Sequence, residues 1–187
     1  DPRQNTLHRK LRRKGVRIRQ WAALSPDAHI APGVTIENSI VGPGAILETG
    51  SELHNAVVAP YTHLFPTRLN GCALPAASIP SISRFLQIAG WNPLEFTVCS
   101  LPPRGSDRTF ARIQSPQQHA ILIEYGRERQ ENARYARHTL FLEKLGLRVP
   151  HLYLHRPRER RLLLEDLGNH DLCTQVLAVD EPTRFRL

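Results

Sequence analysis

Residues 30–64 read IAPGVTIENSIVGPGAILETGSELHNAVVAPYTHL, and aliphatic side chains recur through them at Ile30, Ile36, Val41, Leu47, Leu53, Val58 and Leu64. The step is six residues, except from Ile36 to Val41 and from Leu53 to Val58, where it is five. Small turn-forming residues lie between: Ala31-Pro32-Gly33, Gly42-Pro43-Gly44, Thr49-Gly50-Ser51 and Ala59-Pro60-Tyr61. A fixed short period of this kind marks a coil in which each repeat supplies one short strand and one corner. The expected fold is a short left-handed parallel β-helix of hexapeptide repeats, aliphatics inward, covering about two coils. An antiparallel meander, with its period of two, also accommodates a spacing of six. Corners that recur in phase with the aliphatics favour the coil.

Working toward the N-terminus, Leu7-His8-Arg9-Lys10-Leu11-Arg12-Arg13-Lys14-Gly15 is basic. Leu7 and Leu11 are four apart and share a helix face. Gly15 is a natural stop, and cations near a helix C-terminus complement the macrodipole. The reading is a short surface helix docked by two leucines. A basic arm for nucleic acid is the sharper alternative.

The formal charge of the 187-residue chain is +8. Such a balance suits nucleic acid or phosphorylated small molecules. Aromatics are 6% of the chain and do not interleave with the basic residues as a base-stacking platform requires, so no nucleic-acid partner is expected. Hydrophobic residues at 41% and charged residues at 22% place the chain among globular proteins, one ordinary domain or two small ones. No apolar run approaches the roughly 20 residues of a membrane span, and no secretion leader is visible. A cytoplasmic location and no membrane partner are expected. The three cysteines, Cys72, Cys99 and Cys173, are odd in number and far apart, against a disulfide framework or a zinc site. The chain has no Met, even at position 1, and is expected to begin inside a longer protein.

Working toward the C-terminus, Leu74-Pro75-Ala76-Ala77-Ser78-Ile79-Pro80-Ser81 reads as a linker. Residues 83–90 form a short helix in which Phe85, Leu86 and Ala89 share a face and Gly90 ends the run. Residues 95–100 make a strand. The turn Leu101-Pro102-Pro103-Arg104-Gly105-Ser106-Asp107-Arg108-Thr109-Phe110 leads into a strand through Ala111-Arg112-Ile113. Gly105 lets the backbone approach a phosphate, and Ser106, Arg108 and Thr109 add donors; a plain β-hairpin fits those residues as well. Residues 118–125 are the next strand. Residues 127–145 are a helix with Ala133, Ala136, Leu140 and Phe141 on one stripe, ended by Gly146 and Val149-Pro150. Two short strands follow, residues 151–155 and one beginning at Leu162. His151 and His155 read as surface residues. The expected organisation is a connecting basic helix (1–24), β-helix (25–66), linker with short helix (67–92) and an α+β lobe of antiparallel sheet plus one long helix (93–187).

Two resemblances add to this. Residues 7–64 look like the segment after the catalytic domain of sugar-1-phosphate nucleotidyltransferases, where a helix ending in Gly-Val leads into hexapeptide repeats. Gly15-Val16-Arg17-Ile18, Ile30-Ala31-Pro32-Gly33-Val34-Thr35-Ile36 and Glu37-Asn38-Ser39-Ile40-Val41-Gly42-Pro43-Gly44 match that pattern. Residues 104–172 resemble the N-terminal lobe of aminoglycoside-phosphotransferase-like kinases, in particular the sugar kinases that phosphorylate N-acetylmuramate and N-acetylglucosamine at the anomeric carbon. Gly105-Ser106-Asp107-Arg108-Thr109-Phe110-Ala111-Arg112 fits the family's phosphate-covering turn. Glu131-Asn132-Ala133 falls where its helix presents a Glu. Gly146-Leu147-Arg148-Val149-Pro150 fits the helix exit, and Leu163-Leu164-Glu165-Asp166-Leu167-Gly168 the hinge.

The kinase resemblance implies ATP as cofactor, with Gly105, Ser106, Asp107, Arg108 and Thr109 over its phosphates. It implies Glu131 on the helix, and Glu165, Asp166 and Leu167 at the adenine edge. It also implies Mg²⁺, with ligands in a larger lobe that follows, and a small-molecule sugar as acceptor. Two departures stand out. Residues 120–125 read Ala-Ile-Leu-Ile-Glu-Tyr, without the Lys the family commonly has there; Arg108 or Arg112 is the candidate substitute. Nothing after Gly168 carries the family's His-x-Asp-x-x-x-x-Asn loop, so no catalytic residue and no metal ligand is expected in this chain. The resulting expectation is an inactive piece of a bifunctional sugar-activating enzyme. The alternative is a non-catalytic scaffold in which the β-helix drives homo-oligomerisation and the kinase-like lobe is degenerate. Acyl transfer with His29, His54 or His63 as base is a weaker third reading.

Overall fold

The computed structural model describes residues 2–102 and 107–168. It opens with helix α1 (Pro2–Arg13), which packs on strand β1 (Arg17–Leu24) through buried Leu11 and the partly buried Leu7. The Gln4 amide treats β1 as a neighbouring strand would. It donates to the Leu24 carbonyl at 2.8 Å and accepts from the Leu24 N–H at 3.0 Å. Arg12 donates to the Ile18 carbonyl at 3.1 Å. An exposed strand edge invites pairing with another chain, and α1 covers this one.

The expected coil is present and has three faces. Strands β2 (His29–Ile30), β3 (Thr35–Val41), β4 (Ile46–Leu47), β5 (Glu52–His54), β6 (Val57–Val58), β7 (His63–Leu64), β8 (Arg68–Leu69) and β9 (Cys72–Pro75) wind around one axis, paired in parallel between successive coils. One face stacks β2, β4 and β7. A second stacks the first halves of β1 and β3 with β5 and β8; the third stacks their second halves with β6 and β9. Ile30 pairs with Leu47 and Leu47 with Leu64, so one coil takes 17 residues. The five-residue steps fall at one corner, where Asn38 and Asn55 both have φ of 47°. Asn tolerates that left-handed conformation better than most residues. The two side chains stack, with Asn38 Nδ2 donating to Asn55 Oδ1 at 3.2 Å. Ser39, fully buried beside them, accepts from the Ala56 N–H at 3.1 Å and donates to the Glu37 carbonyl at 2.6 Å.

The coil is longer than the two turns expected. Strands β8 and β9 fall within residues 67–92, the stretch read as a linker, and complete about three turns. Ile36, Leu53 and Leu69 fill its interior in one column, and Leu24, Val41, Val58 and Ala73 in another. Each buried Leu, Ile or Val among them contributes about 1.5–3 kcal/mol by burial, and Ala73 less.

β9 does two jobs. On one side it pairs in parallel with β6; on the other it pairs antiparallel with β10 (Thr97–Ser100), Ala73 opposite Cys99. The coil therefore runs into the second sheet without a break, in the order β9-β10-β11-β12-β14-β13, with β11 (Arg108–Gln114), β12 (His119–Tyr125), β13 (Leu152–Arg156) and β14 (Arg161–Glu165). The last five strands pair antiparallel, as the sequence led us to expect.

Helix α2 (Pro80–Ile88) covers one face of this sheet. Ile82, Phe85 and Leu86 pack with Val98, Ile113, Ala120, Leu122 and Leu163, and Trp91 stacks on Phe96 with ring centroids 5.1 Å apart. Helix α3 (Gln130–Lys144) covers the other, against Ile123, Tyr125, Leu162 and Leu164. The alternation of Ala120 and Leu122 with Ile121 and Ile123 sends neighbouring side chains to opposite helices.

The buried stripe of α3 differs from the one read from hydropathy. Asn132, Ala136 and Thr139 are buried and Tyr135 partly so, whereas Leu140 and Phe141 are 44% and 60% exposed and Ala133 is exposed. No described helix is long and apolar enough to cross a membrane.

Candidate functional site

The α3 side of β11 carries Arg108, Phe110 and Arg112, because alternate residues of a strand share a face. Their partners across β12 are Tyr125, Ile123 and Ile121, and Ile121 in turn pairs with Leu164. Phe110 and Ile121 are only partly buried there. They form an apolar patch with one polar cluster at each end.

The first cluster joins the start of β11 to the first turn of α3. Asn132, 1% exposed, donates through Nδ2 to both carboxylate oxygens of Asp107, at 2.9 and 3.1 Å. Its Oδ1 accepts from Arg108 Nε at 2.6 Å. The Arg108 guanidinium lies 5.4 Å from the centre of the Tyr135 ring, within cation–π range. Gly126 makes room for the carboxylate: a Cβ there would lie 2.7 Å from Asp107 Oδ2.

The second cluster joins β11 to the segment after β14. Arg112 Nε donates to Asp166 Oδ2 at 2.6 Å and its terminal nitrogen to Asp166 Oδ1 at 3.1 Å, with both side chains over nine-tenths buried. The same nitrogen reaches the Gly168 carbonyl at 3.4 Å, and the Gly168 N–H donates to Asp166 Oδ1 at 2.9 Å. One guanidinium and one carboxylate thus hold residues 166–168 against the sheet.

The site residues expected from sequence divide accordingly. Asp107, Arg108 and Asp166 belong to the two clusters. Glu165 is held away from the patch: its Oε2 accepts from the His151 N–H at 3.1 Å. Thr109 points to the opposite face and is exposed. Leu167 is 61% exposed. Gly105 and Ser106 lie outside the described residues. Glu131, which the kinase resemblance puts on the helix, is exposed and lies 3.9 Å from Arg129; the inward position belongs to Asn132. The reason is angular. Asn132 is three and four residues before Tyr135 and Ala136, in line with the buried stripe, and Glu131 is a hundred degrees off it.

Sequence reasoning missed Asn132, Tyr135 and Gly126. A polar residue in line with an apolar helical stripe was the available signal for Asn132. Arg112, named only as a substitute cation, turns out to be engaged by Asp166.

Two histidines of the coil have carboxylate neighbours. His54 Nδ1 is 3.4 Å from Glu37 and His63 Nε2 is 2.7 Å from Glu48. Among the described residues no group of three or more His, Cys, Asp or Glu side chains is placed to hold a metal ion. His155 is not a free surface residue: its Nε2 is 3.0 Å from the Tyr125 hydroxyl, and burial pushes its pKa down. Cys72 and Cys99 are free thiols; Cys99 is buried and its pKa is pushed up to about 12.

Compared with protein-family models, with curated proteins and with solved structures, the chain matches none.

Proposed function

We propose that residues 93–168 are the small, nucleotide-covering lobe of an ATP-dependent sugar kinase of the aminoglycoside-phosphotransferase-like type. The coil before it is then the left-handed hexapeptide-repeat tail of a sugar-1-phosphate nucleotidyltransferase. The observation that carries this is the half-buried Phe110–Ile121 patch, set between the Arg108 cluster and the Asp166 segment on the face that α3 covers. An adenine ring suits a flat apolar patch beside backbone groups of residues 165–167. Phosphates suit the Arg108 end, where a guanidinium lies over the Tyr135 ring. Asn132 holds Asp107 and Arg108 in place, so it is a positioning residue. Mg²⁺ and the acceptor sugar would be held by a larger lobe following this chain, and the chain alone transfers no phosphoryl group. The pairing is chemically coherent: a kinase makes a sugar 1-phosphate and a nucleotidyltransferase consumes it.

The test is a titration of the chain with ATP at millimolar concentrations, followed by backbone amide shifts. Saturable shifts centred on Phe110, Ile121, Arg108 and Leu167 are expected. Shifts confined to the coil, or none at all, reject the assignment. In a longer protein that includes the larger lobe, sugar-dependent ADP release is expected.

A second reading is a scaffold that binds no nucleotide. It is favoured by the engagement of Arg112 with Asp166, which removes one substitute for the absent strand Lys. The exposed Ile40, Ile46 and Val57 on the flat faces of the coil favour it too, as surfaces for a second copy.

A further inference from the structure

The whole formal charge of the protein sits at one end. Residues 2–24 contain Arg3, Arg9, Lys10, Arg12, Arg13, Lys14, Arg17 and Arg19 and no acidic residue, which accounts for the full +8 of the chain; elsewhere acids and bases balance. The structure gathers part of this charge around one concavity. Between α1 and β1 lies a cleft of about 660 Å³ lined by Asn5, His8, Arg9, Arg12, Arg13 and Gln20. Every lining side chain is polar and none is acidic.

We propose that this cleft binds the polyphosphate group of a small ligand, a pyrophosphate or triphosphate. Arg9 and Arg13 are one turn apart on α1 and Arg12 lies beside them, so three guanidinium forks share one turn of helix. Such forks match phosphate oxygens with paired N–H donors. The helix itself is anchored by Leu7, Leu11 and the Gln4–Leu24 bonds, and Arg12 is further held by the Ile18 carbonyl. The cations are therefore carried on a fixed backbone, not on a mobile arm.

Neither Arg9 nor Arg13 has an ion-pair partner among the described residues, and the buried His8 Nε2 has no hydrogen-bond partner. A helix C-terminus normally repels anions through its open carbonyls. Here Lys14 N and Val16 N donate to the Leu11 carbonyl and Gly15 N to the Arg12 carbonyl, which reduces that repulsion. The volume lies within the range of small-molecule sites, about 300–1,000 Å³. The charge is concentrated on one helical turn instead of being spread along a track, which suits a compact anion better than a nucleic-acid strand.

This site is on the coil and does not depend on the kinase reading. Calorimetric titration of the full chain with inorganic tripolyphosphate at low salt tests it, with thermal melts confirming that each variant folds. The expected result is saturable binding weakened at least tenfold by Arg9→Ser with Arg13→Ser. Lys10→Ser with Lys14→Ser removes the same charge from the same helix outside the cleft and should weaken binding less than threefold. Arg108→Ala, in the second sheet, should leave in place the binding that the Arg9 and Arg13 substitutions remove, which separates this cleft from the proposed ATP site. Equal losses in the two double variants would mean general attraction to a basic helix and would overturn the proposal. So would absence of binding at millimolar tripolyphosphate, or a single-stranded oligonucleotide of equal charge binding tenfold more tightly.

Discussion

Arg112 and Asp166 are 54 positions apart in sequence and meet in a bidentate ion pair, 2.6 Å at its shorter contact, with the two side chains 9% and 7% exposed. The pair ties the middle of β11 to the segment that leaves the sheet after β14. Removing one partner breaks a buried ion pair, which costs about 3–5 kcal/mol. Arg112→Ala and Asp166→Asn should each lower the urea midpoint accordingly. Arg112→Met with Asp166→Leu should recover most of the loss, because the pair's desolvation cost vanishes with it. A double variant no more stable than Arg112→Ala would show that the segment after β14 is held by something else.

Asn132 and Glu131 are neighbours with opposite surroundings, one bridging Asp107 and Arg108, the other in solvent. Asn132→Ala removes the hydrogen bonds that a buried amide makes to the partly buried Asp107 carboxylate and to Arg108, at about 1–3 kcal/mol. Glu131→Ala should stay within about 0.5 kcal/mol of the parent. Equilibrium unfolding of the two variants side by side checks the facing of α3; equal effects would contradict it.

In the coil, Gly44 has φ of 62°, and a Cβ there would come within 2.6 Å of the Tyr61 ring one coil later. Gly44→Ala adds a backbone cost of about 1–2 kcal/mol to that steric one. Combining it with Tyr61→Ala should restore the steric part but not the backbone part. Thermal melts of the single and double variants separate the two contributions. Full recovery in the double variant would show that the left-handed conformation costs nothing.

Burial lowers the pKa values of both His8 and His155 from the ordinary 6.5. The unfolded chain then binds more protons than the folded one between the depressed values and 6.5, so stability rises with pH across that window. It should be fully present above about pH 6.5 and decline as the pH falls through that value. Denaturant melts from pH 7.5 to 5 should show the decline, and His8→Gln with His155→Gln should flatten it. An unchanged slope in that variant would assign the pH dependence to other groups.

Much of the coil was legible because its information is local. The aliphatic column needs only the six-and-five spacing, and the shortened step coincides with Asn38 and Asn55, residues suited to the tight left-handed corner. The end of the coil was not legible. Thr67 to Pro75 lacks a Pro-Gly corner in phase, yet Leu69 and Ala73 continue the interior columns because the edges of β5 and β6 stand open to pair.

The second half divides the same way. The order of strands and helices followed from alternation, from the helical run and from the breaks at Gly146 and Pro150. The face of α3 did not, because hydropathy places Leu140 and Phe141 inside while the fold places Asn132 there.

By itself, the sequence determined the repeating coil, the antiparallel strands, the long helix and the concentration of charge in residues 2–24, since each depends on residues within a turn or two of one another. Only the tertiary structure decided that β9 joins coil to sheet, that Asn132 and not Glu131 faces inward, and that Arg112 is held by Asp166. Each of those rests on hydrogen-bonding groups brought together from distant parts of the chain. A buried polar group takes whichever partner the fold delivers, and that partner is not written next to it in the sequence.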